Sequence, residues 1–105
     1  MESNSALQQR AYPIRLRLRY IMDQHRGNGC TVSMSRSAIV FEADDDLPVG
    51  KPVRLSINWP AKLQNNIALT LTVEGTTIQA RNQHVSVSIL RYEFRIRPML
   101  RGVAV

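Results

Sequence analysis

The sequence predicts an all-β domain: a small antiparallel β-barrel of six to seven short strands, closed or nearly so, or failing closure a sandwich. Three observations predict it. Apolar side chains recur at every second position in one segment after another. Glycine, proline, asparagine and aspartate punctuate those segments at short intervals. No segment carries helical apolar spacing long enough to compete.

Residues 1–9 are polar and mixed, and read as a flexible lead-in. The barrel is expected over residues 10–97, with 98–105 as a tail. In "AYPIRLRLRYI", Ile14, Leu16, Leu18 and Tyr20 point one way and Arg15, Arg17 and Arg19 the other, which makes a half-exposed strand. "DQHRGNG" reads as a turn, its glycines and asparagine supplying permissive backbone angles. "CTVSMS" alternates with Cys30, Val32 and Met34 on one side, and "AIVFEA" is a further strand. "DDDLPVGKP" is a loop. "VRLSINW" sets Val53, Leu55, Ile57 and Trp59 inward, and Pro60 is expected to stop its ladder. "AKLQNN" has room for one helical turn. "IALTLTVEG" places Ile67, Leu69, Leu71 and Val73 inward with threonines outward, and Gly75 suggests a bulge. "RNQ" is a loop, "HVSVSIL" a strand, and "RYEFRIR" either its extension or a short final element.

Length and composition suit one domain. The 105 residues are 44% hydrophobic, and no apolar run reaches the roughly 18 residues of a membrane span. The start lacks the apolar stretch of a secretory signal, and the single Cys30 excludes an internal disulfide framework. A reducing cytoplasm is the expected compartment. Fourteen basic residues against eight acidic give a net charge of +6, and twelve of the fourteen are arginine. Arginine forks meet phosphates in two-point contacts, so an anionic partner such as a phosphate or nucleotide is the expected class.

Four stretches in this order, "RAYPIRLRLRY", "TVSMSRSAIVFEA", "LPVGKPVRLSINWP" and "SVSILRYEFR", resemble the bacterial PilZ domain family over about residues 10–97. The resemblance implies a small β-barrel that binds cyclic di-GMP and signals to a partner protein. It also implies two ligand motifs, R-x-x-x-R before the first strand and [D/N]-x-S-x-x-G between the second and third. An arginine fork meets a phosphate or the O6/N7 edge of guanine and stacks on the base, and the motif glycine permits close backbone approach. The second motif aligns on residues 33–38. Ser35 keeps the motif serine, Ser33 stands where Asp or Asn is usual, and Ala38 stands where Gly is usual. Alanine at a position needing positive φ is strained, so a different turn is expected there. For the first motif, Arg10 lies in the matching neighbourhood, and Arg15 and Arg19 satisfy the spacing but follow Pro13. The residues implied for the ligand are therefore Arg10, Arg15, Ser33, Ser35 and Arg36. The competing account of Arg15, Arg17 and Arg19 is a solvated strand face that also discourages edge pairing.

The remaining chemistry is sparse. His25 and His84 have no spacing that makes a metal site, the run of Asp44, Asp45 and Asp46 reads as a solvated loop, and Cys30 reads as a small core residue. No nucleophile elbow, phosphate loop or marked carboxylate pair is present, so no enzyme activity and no cofactor are expected. Most aromatics fall in core-facing register. The expected function is a PilZ-like binding and signalling module of the cyclic di-GMP family with an eroded ligand site. Two other readings stay open: a ligand-independent protein-interaction barrel, and a basic OB-like domain binding RNA or DNA.

Overall fold

A computed structural model describes residues 10–64 and 66–97, and the expected lead-in and tail lie outside them. Seven strands follow in chain order: β1 (Tyr12–Pro13), β2 (Arg17–Met22), β3 (His25–Met34), β4 (Ala38–Ala43), β5 (Pro52–Leu63), β6 (Ile67–Arg81) and β7 (His84–Ile96). There is no helix among the described residues, and hence none long and apolar enough to cross a membrane. The strands pair antiparallel in the order β3-β2-β5-β6-β7-β4, and β4 returns to β3 to close a six-stranded barrel. The short β1 is added on β3, Tyr12 opposite Met34 and Pro13 opposite Ser33.

The alternation read from the sequence fills this barrel. Leu18, Tyr20 and Met22 of β2, Ile39 and Phe41 of β4, Val53, Leu55 and Ile57 of β5, Leu71 and Val73 of β6, and Val85 and Val87 of β7 are all buried. Leu47 adds to them from the loop after β4. Tyr20 and Phe41 pack tilted, with ring centroids 5.9 Å apart. Burying side chains of this size contributes about 1.5–3 kcal/mol each before entropy is subtracted.

Bulges reset the alternation at three places. Thr31 pairs with Phe41 and Ser33 with Val40, leaving Val32 as the extra residue of β3. Before it Gly27, Gly29 and Thr31 face inward; after it Met34 does. Cys30 therefore lies on the outer face, opposite Glu42, rather than in the core as its apolar neighbours suggested. Ile78 is the extra residue of β6 and Leu90 that of β7, and both are exposed. Thr77 lies inward in unbroken alternation with Leu71, Val73 and Gly75, just before the extra residue of β6.

Two fully buried threonines act as clamps. Thr31 Oγ1 accepts the Leu16 N–H at 2.8 Å and donates to the Ile14 carbonyl, holding the segment between β1 and β2 against β3. Thr77 Oγ1 accepts the Lys51 N–H at 3.1 Å and donates to the Pro48 carbonyl at 2.8 Å, fastening the loop after β4 to β6.

The turns also differ from expectation. The β2–β3 hairpin turns at Asp23–Gln24 alone, and Gly27 and Gly29 belong to β3. A Cβ on Gly27 would stand 2.4 Å from the Tyr20 hydroxyl, so that glycine serves packing rather than turning. Asn82 and Gln83 both have positive φ, the two-residue hairpin geometry whose twist matches the flanking strands. β5 continues through Pro60 to Leu63, where a helical turn had room. Pro60 still interrupts the ladder, because regular pairing stops at Trp59–Leu69 and resumes at Leu63–Ile67. The far ends of β5, β6 and β7 project from the barrel, giving extents of 54 × 33 × 20 Å.

Candidate anion-binding face

β2 lies between β3 and β5, so Arg17 and Arg19 are not guarding an edge. They stand exposed on the outer face of a central strand because Leu18, Tyr20 and Met22 take the inner one. Arg19 is flanked by Asn28 on β3 and Ser56 on β5. The curvature of the sheet gathers Arg17, Arg19, Arg26, Asn28, Ser56, Asn58, Thr70 and Arg97 around one open groove of about 820 Å³. No Asp or Glu lines it. Among the described residues Arg17, Arg19 and Arg26 have neither an ion pair nor a side-chain hydrogen bond. Arg97 closes the far end, its guanidinium donating to the Leu69 carbonyl at 2.7 Å.

The floor of the groove is held from inside. The Tyr20 hydroxyl donates to Asp44 Oδ1 at 2.5 Å, and Asp44 Oδ2 accepts the Asn28 N–H at 3.2 Å. Burial, then the hydrogen bond to Asp44, pushes the Tyr20 phenol well up from its ordinary range. The same Tyr20 bond, reinforced by the Asn28 amide, holds the Asp44 carboxyl below its ordinary value. Asp44 thus engages its charge with β2 and β3 rather than facing the arginines across the sheet.

The five residues implied by the motifs separate into two groups. Four gather where β1 meets the end of β3. Ser33 is half-buried between Pro13 and Val40. Arg10 lies two residues before β1 and Arg36 in the turn that follows β3, and both are exposed. Ser35 builds the turn into β4: its N–H donates to the Ala38 carbonyl at 2.8 Å, and its Oγ accepts the Ala38 N–H at 3.1 Å and the Ser37 N–H at 3.3 Å. Ala38 is not among the positive-φ residues, so alanine sits there without the strain expected from the motif's glycine. Arg15 is the exception. It lies over the middle of the outer face of β3, paired with Glu42 at 3.1 Å, a bond that raises its pKa. Glu42 also lies 3.4 Å from His84 Nε2. None of these five residues lines the arginine groove, whose Arg17 stands opposite Cys30, three residues before Ser33.

Among the described residues no three His, Cys, Asp or Glu side chains come together as metal ligands. Tyr12, Tyr92 and Phe94 are exposed, against the expectation that most aromatics face the core, but none of them lines the arginine groove.

What fold and geometry together define is a closed antiparallel barrel with an acid-free arginine groove on its outer wall. Compared with family models, curated proteins and solved structures, the chain matches none of them.

Proposed function

We propose that this chain is a PilZ-like binding module that takes a phosphodiester-bearing nucleotide on the outside of its barrel. Cyclic di-GMP is the ligand that the sequence resemblance names. The observation that carries the reading is the groove itself: four arginines and several amide and hydroxyl groups around one concavity, with no carboxylate among them. Three of the guanidinium groups have no partner among the described residues and are free to make charge-assisted contacts with two phosphates. In this reading the eroded motif end is secondary, because Ser35 is engaged in its own turn and Arg15 is neutralised by Glu42. The module does no chemistry. Its output is a changed contact with a partner protein in the cytoplasm of a bacterial cell.

Calorimetry separates the two neighbourhoods. Cyclic di-GMP titrated into the wild-type chain is expected to give saturable heat. Arg17→Glu/Arg19→Glu is expected to weaken binding by at least about tenfold, since each charged hydrogen bond contributes about 1.5–3 kcal/mol. Arg10→Glu/Arg36→Glu is expected to change it little. Loss in the second variant alone would move the site to the motif end, and absence of heat from the wild type would remove the reading.

A further inference from the structure

β7 leaves the barrel partway along its length. It pairs with β4 as far as Ser88, and the Ile89 N–H donates to the Ser37 carbonyl at 2.8 Å. From Leu90 to Ile96 only β6 flanks it among the described residues. The Arg97 N–H donates to the Ala68 carbonyl at 2.8 Å. By the two-residue alternation of an antiparallel ladder, Arg91, Glu93 and Arg95 then turn their backbone groups to β6. Tyr92, Phe94 and Ile96 aim theirs at the open edge. This edge carries no proline and no lysine over residues 90–97, so it lacks two common devices that keep strands from pairing. Its side chains alternate as well: Tyr92, Phe94 and Ile96 are 60%, 48% and 60% exposed on one face, and Arg91, Glu93 and Arg95 occupy the other.

We propose that β7 pairs antiparallel with β7 of a second copy of this chain, about a two-fold axis at Phe94, joining two barrels through one continuous sheet. Such a contact is self-complementary. Phe94 opposes Phe94 of the second copy, Tyr92 opposes its Ile96, and Glu93 opposes its Arg95, the last two pairs each occurring twice.

Charge and shape select both this occupant and this register. An axis at Glu93 sets Glu93 against Glu93 and Arg91 against Arg95, which is repulsive at every charged position. An axis at Tyr92 drives residues 96 and 97 of the second copy toward the turn at residues 35–38, which lies beside Ser88 and Ile89. The Phe94 axis pairs residues 91–97 and stops short of that turn. Its one like-charge juxtaposition, Arg91 with Arg97, is offset within each copy. Arg91 Nε holds Glu74 at 2.7 Å, and Arg97 points to the Leu69 carbonyl at 2.7 Å. Trp59 meets Phe94 edge-on at 5.2 Å, so the two Phe94 rings continue an aromatic row from Trp59 of one copy to Trp59 of the other.

Sedimentation of the full chain over a low-to-high micromolar series, with reductant to silence Cys30, tests this. The wild type is expected to dimerise. Glu93→Arg and Arg95→Glu alone are each expected to weaken the dimer at least about tenfold, because like charges then oppose twice. The double variant Glu93→Arg/Arg95→Glu re-forms the opposed pair with its signs exchanged and is expected to recover dimerisation. Circular dichroism confirms that each variant is folded. A wild type that stays monomeric at the highest concentration, single variants that dimerise normally, or a folded double variant that stays monomeric would each overturn the proposal.

Discussion

Thr31→Val deletes one hydroxyl and almost nothing else. The side chain is fully buried, and valine has nearly the same volume, so no cavity is left. What remains is the Leu16 N–H, previously bound at 2.8 Å, and the Ile14 carbonyl, both without the clamp. A buried group left unsatisfied costs about 1–3 kcal/mol. Ile14 and Leu16 are only half-buried, so water reaches part of the gap and the low end applies, about 2 kcal/mol for the pair. For a domain of this size each kcal/mol moves the midpoint by about 4–8 °C, so Tm should fall by roughly 8–16 °C. Urea unfolding followed by circular dichroism supplies the free energy and a thermal scan the midpoint. Thr31→Ser is the control: it keeps both bonds, loses one methyl group, and should cost about 0.8 kcal/mol. A valine variant within about 0.5 kcal/mol of wild type, or a serine variant less stable than the valine one, would refute the clamp. The consequence extends to binding, because the clamped segment runs directly into Arg17.

Gly27→Ala should destabilise by about 1–3 kcal/mol, since its Cβ would lie 2.4 Å from the Tyr20 hydroxyl and 2.5 Å from Asp44 Oδ1; an unchanged unfolding midpoint would contradict that packing. The Tyr20 phenol is raised in the folded chain, so its contribution to stability is full below the ordinary value of 10.0 and is lost as pH rises beyond it. Tyr20→Phe should flatten that alkaline limb in a series of pH-dependent unfolding curves. Asp44 is lowered, so its contribution is full above the ordinary value of 3.8 and is lost as pH falls through the folded one; the same Tyr20→Phe curves should show a shallower acid limb.

Much of the barrel was legible because a strand buried on one side writes its burial at every second position. β2, β4 and β5 follow that rule through most of their length, and their inward sets are those the pattern gives. The pattern fails where an extra residue changes the phase. Val32, Ile78 and Leu90 are unmarked in the sequence, since a bulge at a non-glycine residue needs no special composition. That is why Cys30 was assigned inward. Gly27 and Gly29 read as turn residues because glycine serves turns and close packing alike, and only the neighbouring Tyr20 and Glu42 decide between them. The groove was half visible. Arg17 and Arg19 announce an outward charged face; Arg26 joins them across the tight β2–β3 hairpin, where a longer turn was read, and Arg97 only through the β2-β5-β6-β7 strand order, which no local pattern encodes. The hydroxyls of residues 33–37 looked like ligand groups, and for Ser35 a turn that binds its own hydroxyl is the competing use.

The most direct measurement is a cyclic di-GMP titration of the wild-type chain by calorimetry at two salt concentrations. Saturable binding that weakens modestly with salt and is lost in Arg17→Glu/Arg19→Glu is the predicted result. No heat at high micromolar ligand, or binding untouched by that pair of substitutions, would contradict a nucleotide-binding role for the groove.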